Sequence, residues 1–425
     1  MTRQIAKRVI EDRFPAEQER VVASGLARAL LLIAIIATII PPGYLAYIGS
    51  YVALIAAIIA VVTCGWREKP VLLHPTSLAI LASIALICGT LPWVYHAPQD
   101  LLAPVLILPM LTTIALGLLA RPAGRVPRPT TFAFICLAGS FIALVGGAYE
   151  HFVLGLYRPG LGNNPIHYST LAAMSGCLAL VGMISSSARW RYVFLCGPVL
   201  GLACAIIADS RGPMLGALVM SAFGLVMLTI WLWRETMFRI ALLVISAIAA
   251  GAVAYLMQSG SDRVASVVQS GLNLFTFTGS PDDIRAAFYA SAFEILQTSP
   301  LVGLGLGQIM VPFEELFPDF VIALGRFDNL HADWANFAAM AGIVGLIAWV
   351  LLLVSPMLLL LDRAARQDRS TVLGTTVLAT GQLVMGVSNA TFGILPQTMM
   401  FAVAAGYFLA WMRPRSAQMH TPLRD

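Results

Sequence analysis

Charge is scarce in this chain. Asp, Glu, Lys and Arg make up 11% of its 425 residues against 59% hydrophobic, and the mean hydropathy is +0.84. So little polar surface excludes a soluble globule of this length and leaves a polytopic membrane protein. No internal repeat, low-complexity tract or strand-rich stretch marks off a separate soluble domain. A serine elbow, a P-loop and a His/Cys cluster at zinc spacing are all missing, so nothing supports acyl transfer, nucleotide binding or a structural zinc. The "PDD" at 281–283 reads as a helix start rather than a metal site, so no metal and no cofactor are expected. "GLGLG" (303–307) follows a helix stop and not a strand; it is a turn, or flexible backbone near a ligand, and not a dinucleotide fingerprint. The six cysteines, Cys64, Cys88, Cys136, Cys177, Cys196 and Cys204, avoid the outer loops, and no disulfide is expected.

What is present is a succession of apolar runs, each of about 18 residues or more and able to cross a hydrocarbon core of roughly 30 Å. They lie at 23–40, 44–64, 74–94, 101–119, 130–148, 166–186, 191–208, 213–232, 239–257, 333–360, 371–390 and 396–412. The predicted fold is therefore an all-α polytopic integral membrane protein of about 12 transmembrane helices. Of the 26 Lys and Arg, only Arg158, Arg211, Arg263, Arg285 and Arg326 fall outside the loops on the N-terminal side of the membrane. That bias puts both termini in the cytoplasm. The opening segment mixes acids and bases and lacks a cleavage site, so it reads as uncleaved and cytoplasmic, either solvated or resting on anionic headgroups. The predicted organisation is a cytoplasmic segment over 1–22, nine transmembrane helices within 23–257, an outer loop over 258–332, three helices within 333–412 and a cytoplasmic tail over 413–425.

The outer loop is long enough to be functional. "GSPDDIRAAFYASAFEILQTSP" has a helix start at Ser280 and Pro281 and a stop at Pro300; Ile284, Phe288, Ala292 and Ile295 form one apolar face, suited to a helix lying along the membrane. Phe313, Leu316, Phe317 and Phe320 follow at helical spacing, either as interface anchors or as a cap on the bundle.

Ionisable groups are almost missing from the middle of the spans, where transporters bind their cargo. They gather at the outer boundary instead: Glu150, His151, Arg158, His167, Asp209, Arg211, Arg285, His331 and Asp333. Arg211 stands just before Pro213, which is suited to a helix start, at the end of the dipole that disfavours a cation. Either it pairs with Asp209 or it grips an anion through its forked donors. Arg285 repeats the situation beside Asp282 and Asp283, which suit that end and could simply neutralise it. Arg158, Arg263 and Arg326 have more polar surroundings. His331 precedes an apolar span, and on a continuous helix Ala335, Ala338, Gly342 and Gly345 lie within about 40° of it. That stripe of small residues is either a helix contact or a groove for a lipid chain. A neutral imidazole there can take a proton from a hydroxyl, with Asp333 or Asn329 to orient it.

These residues resemble the O-antigen ligase family, in a superfamily with O-antigen polymerases and protein O-oligosaccharyltransferases. Arg211 to Leu215 fits its Arg-x-x-x-Leu pattern, and His331, Gly342 and Gly345 fit His-[Asn/Ser/Gln]-x9-Gly-x-x-[Gly/Thr/Tyr], with Ala332 departing at the second position. "NPIHYS" and "SPLVGLGLG" also look like family segments, and Arg285 stands where the family has an arginine ahead of the latter. The resemblance implies a GT-C-like fold in a bacterial inner membrane, with its active site facing the periplasm. It implies a donor of O-antigen linked through diphosphate to undecaprenol, an acceptor sugar on lipid A–core, and metal-independent inverting transfer without nucleotide or nucleic acid. Arg211 and Arg285 would hold the diphosphate, and His331 would act as base or as a phosphate ligand. Asp333, Asn329, Asp209, Arg158 and Tyr168 are supporting candidates. An O-antigen polymerase or protein O-oligosaccharyltransferase with the same donor is the nearest alternative, and a transporter of polyprenyl-linked glycan is a further one. An Arg-x10-Gly pattern associated with some polymerases is absent at all five outer arginines.

Overall fold

The computed structural model describes residues 25–64, 69–119, 126–258 and 284–419. The segment expected at 1–22, Arg263, the helix start at Ser280 to Asp283, and 420–425 lie outside the described residues. Among those described there is no strand. Each expected apolar run is helical: α1 (Gly25–Ile39), α2 (Leu45–Thr63), α3 (Pro75–Val94), α4 (Pro98–Leu118), α5 (Pro129–Val153), α6 (Pro165–Ser185), α7 (Arg189–Ile207), α8 (Arg211–Leu232) and α9 (Thr236–Ala247). The loop helices α10 (Ile284–Thr298), α11 (Val311–Leu316) and α12 (Pro318–Leu324) come next. The chain closes with α13 (Asp333–Val354), α14 (Arg369–Ser388) and α15 (Leu395–Met412). Ten of these are long and apolar enough to cross a membrane; α1 and α9 are shorter within the described residues. The 333–360 run ends sooner than expected, at Val354, and a 3-10 turn over Met357–Leu361 follows.

Local chemistry sets the helix starts. Asn164 accepts the Ile166 N–H at 2.9 Å ahead of Pro165, and Asp368 accepts the Thr371 N–H at 2.9 Å. α8 begins at Arg211 rather than near Pro213, so the arginine is itself the first helical residue. Pro213 still fits, because the first four N–H groups of a helix have no partner within it. α6 and α15 are buried over most of their length and form the centre of the bundle. Small residues let the helices touch: a Cβ on Gly176 of α6 would come 2.3 Å from the Gly197 carbonyl oxygen of α7.

α13 is broken. Ala341 (φ −147°, ψ 17°) and Gly342 (φ 61°, ψ −144°) leave the helical conformation roughly 12 Å below its first residue. The groups freed there are satisfied by the segment after α10. Ile343 N–H donates to Pro300 O (2.8 Å) and Val344 N–H to Leu301 O (3.3 Å). In return Leu304 N–H donates to Ala339 O (2.8 Å) and Gly305 N–H to Met340 O (3.2 Å). Irregular backbone at membrane depth is tolerated only where protein covers it in this way. Gly303 permits the approach, since a Cβ on it would lie 2.5 Å from Ala339 O. Asp100 fastens the far end of the segment, accepting N–H groups from His96, Ala97 and Gly307 at 2.9, 2.9 and 2.7 Å.

This joint corrects two expectations. The small-residue stripe presumed a continuous helix containing residue 331, whereas the helix starts at Asp333 and breaks at Gly342, so Gly342 and Gly345 serve the break and not a lipid groove. "GLGLG" is neither flexible nor a simple turn but one half of the joint. A broken helix, which the sequence did not show, is present, and its backbone groups are committed to protein rather than open to an ion.

Candidate active site

The site is assembled around the C-terminal end of α14. A Cβ on Gly212 would meet Ser388 Oγ at 2.5 Å, and one on Gly216 would meet Met385 Cε at 2.7 Å, so α8 runs antiparallel to α14 with Arg211 beside its last turn. The Tyr289 hydroxyl of α10 donates to Val387 O at 2.6 Å. Asp333, the first residue of α13, accepts the Thr391 N–H (2.6 Å), the Phe392 N–H (2.9 Å) and the Thr391 hydroxyl. Gln382 Nε2 in turn donates to Thr391 Oγ1 at 2.6 Å. Three helix ends, those of α8, α10 and α13, are thereby tied to one corner of the face that bears the loop.

His331 stands at that corner with φ +48°, in the left-handed region that few side-chain-bearing residues occupy. The Asn329 side chain holds it there by accepting the His331 N–H at 2.8 Å, while Asn336 Oδ1 accepts the Leu330 N–H at 2.8 Å. The half-buried imidazole lies against Phe288 of α10 (ring centroids 5.3 Å apart) and Phe327 (5.9 Å). Arg285 precedes Phe288 by one helical turn on the same face, and its charge acts on His331. Burial holds the His331 pKa below 6.5; Asp328 opposes that fall and Arg285 adds to it. The imidazole is therefore neutral at pH 7 and able to accept a proton. Arg211 is exposed and Arg285 half-buried.

The supporting candidates turn out to have structural bonds. The Asp333 carboxylate is occupied by the turn at Thr391, and Asn329 holds the backbone of His331, so neither bonds the imidazole. Tyr168 is buried, its hydroxyl donating to Ala143 O at 2.7 Å between α6 and α5. Arg158 Nε donates to Ala208 O (3.2 Å) at the end of α7, and Asp209 (φ +47°) accepts from the Tyr157 hydroxyl (3.0 Å). The exposed Arg326 faces the half-buried Glu314 at 3.7 Å. Ala332 is the N-cap of α13 and offers no side-chain bond, which identifies the departing position as a cap.

Of the two roles open to Phe313 in the sequence, interface anchor or cap, the structure shows the second, and the residue walls the site. Phe313 is fully buried against Phe288 and Phe327, at 4.7 and 5.8 Å between centroids, so it caps the bundle rather than anchoring in lipid. The apolar face of α10 likewise turns inward, with Phe288, Ala292 and Ile295 buried against the bundle instead of lying on the membrane. Sequence reasoning missed Asp328; its only signal was a place three residues before the histidine. Among the described residues no group of His, Cys, Asp and Glu forms a metal cage.

An all-helical multi-pass membrane protein, with two arginines and a neutral histidine at one rim, is a class suited to a lipid-borne anionic substrate. Residues 196–350 match the family model described as O-Antigen ligase, which supports assigning the chain to that family. The match spans Arg211, Arg285 and His331 together. A search of curated proteins found none that matches. Members of this family are glycosyltransferase-like enzymes.

Proposed function

We propose that the chain is an O-antigen ligase of the bacterial inner membrane. It transfers O-antigen polysaccharide from undecaprenyl diphosphate to a sugar hydroxyl of lipid A–core, at the periplasmic face and by inversion. The supporting observation is the meeting of Arg285, His331 and the Arg211 end of α8 around the last turn of α14. Arg211 and Arg285 grip the diphosphate. The acceptor oxygen attacks the anomeric carbon as that carbon's bond to phosphate breaks, and the bonding pair leaves on the phosphate oxygen. Paired guanidinium donors stabilise the growing charge at low local dielectric. The hydroxyl proton passes to the neutral His331 and then to solvent. With arginines supplying the positive charge, the reaction proceeds without a metal. The large loop before α13 would then be periplasmic and both termini cytoplasmic, with the bundle GT-C-like.

The test combines purified protein, lipid-linked donor and lipid A–core in the presence of a chelator. Product is expected, and His331→Ala should reduce its rate by about 10²–10⁴-fold, the usual contribution of a general base. Near-normal turnover by that variant removes His331 from the chemistry. Chains lengthened on the donor lipid, with lipid A–core untouched, would identify a polymerase instead.

A further inference from the structure

His167 is outside the stretch covered by the family match and takes no part in the site as built so far. It is the third residue of α6, after the Asn164 cap and Pro165. Packing register gives its height. Cys177 Sγ of α6 lies 3.8 Å from Ala217 O and 3.6 Å from Ser221 Oγ of α8, and the two helices run parallel, inward from the loop-bearing face. Counting back along each at 1.5 Å per residue puts His167 and Arg211 within about 6 Å of the same level. His331 and Asp328 are both near enough for their charges to act on the His167 ring.

The Nδ1 atom of His167 is buried and has no hydrogen-bond partner. Buried polar atoms in folded proteins are almost always satisfied, so an open one beside a substrate site points to a bond completed by the substrate. The surrounding charge selects that partner. Arg211 and Arg285 make the rim positive, which draws an anionic oxygen rather than a cation.

We propose that His167 is a further donor-binding residue, whose Nδ1–H donates a hydrogen bond to a phosphoryl oxygen of the lipid-linked diphosphate. This rests on the transfer reading and adds a third ligand to the leaving group, carried at the start of α6. The bond orients the diphosphate against the two guanidiniums and leaves His331 free for the acceptor.

The experiment uses the full chain in lipid nanodiscs, with undecaprenyl diphosphate as the binding probe and transfer kinetics measured in parallel. His167→Ala is expected to weaken probe binding about tenfold or more, the scale of a hydrogen bond to a charged group. The KM for lipid-linked donor should rise while that for lipid A–core stays put. His167→Asn should restore binding, because its amide nitrogen occupies the place of Nδ1; His167→Gln, which reaches the place of Nε2, should not. Should His167→Ala fail to fold, the Asn and Gln comparison decides alone. Unchanged binding in His167→Ala, rescue by Gln and not Asn, or a change confined to the acceptor KM overturns the assignment. If the unsubstituted protein transfers glycan normally and only this pattern is missing, the inference alone falls. If the unsubstituted protein does not bind the probe, the transfer reading falls with it.

Discussion

His331 occupies a backbone conformation that costs of order 1–3 kcal/mol for a side-chain-bearing residue, and the Asn329 and Asn336 side chains hold the turn in place. Its imidazole is neutral because burial outweighs the pull of Asp328. A depressed pKa means that the base form survives below pH 6.5 and is lost only as pH falls through the lowered value. Asp328→Asn removes the influence that holds the pKa up, so the acid limb of the transfer rate should move to lower pH. A limb that stayed in place or moved upward would show that His331 is not the titrating base. At Arg211, lysine keeps the charge but not the planar fork. Arg211→Lys should therefore lose most of its transfer activity while retaining expression and melting temperature; full activity in that variant would exclude two-point gripping. The three candidate residues stand out in the sequence because each lies where its chemistry is otherwise disfavoured, a cation at a positive helix end or a histidine at the lip of an apolar span. The duties of Asp333, Asn329 and Tyr168 were not legible there, because their partners, Thr391, a backbone N–H and Ala143, come from the fold rather than from nearby sequence.

At the scale of elements, the joint between the 300–304 segment and α13 accounts for the glycines that a pattern alone leaves unexplained. Gly342 adopts φ 61°, and a Cβ there would lie 2.5 Å from the Leu301 carbonyl carbon. Gly303, at φ 69°, faces Ala341 N at 2.7 Å in the same sense. Gly303→Ala is expected to destabilise by more than about 1 kcal/mol, since it adds both left-handed strain and a backbone clash. The fall should appear as an earlier melt in detergent. An alanine at Gly89, where a Cβ would meet nothing within 4 Å, should leave the melt unchanged. Equal melting of the two variants would mean that the joint does not bear on stability. Hydrophobic runs reveal where helices are but not where one of them is interrupted. Here the interruption is made by a chain segment about 40 residues earlier, and no periodicity within α13 records it.

Across the whole molecule, the alternation of apolar runs with basic loops carried the helical class, and every run is a helix in the structure. Two lines of the plan were less visible. The surface-helix reading of α10 failed because an apolar face has the same pattern whether it meets lipid or the bundle. The assembly of the site depends on α8 and α14 meeting antiparallel, a pairing separated by more than 100 residues of chain. Orientation can be tested directly. In a chain freed of native cysteines, Ile322→Cys, at an 83% exposed position, should react with an impermeant maleimide in intact cells whose outer membrane has been opened. Arg189→Cys, on the opposite face, should react only after lysis. Reversed labelling would invert the topology and move the site to the cytoplasm.

The segment that fills the gap in α13 is the direct continuation of α10, the helix that carries Arg285, while α13 itself begins two residues after His331. The guanidinium and the imidazole are thus mounted on two arms of one clasp. Four backbone hydrogen bonds across the break therefore fix the spacing of the two arms, so that neither can move far without opening the joint.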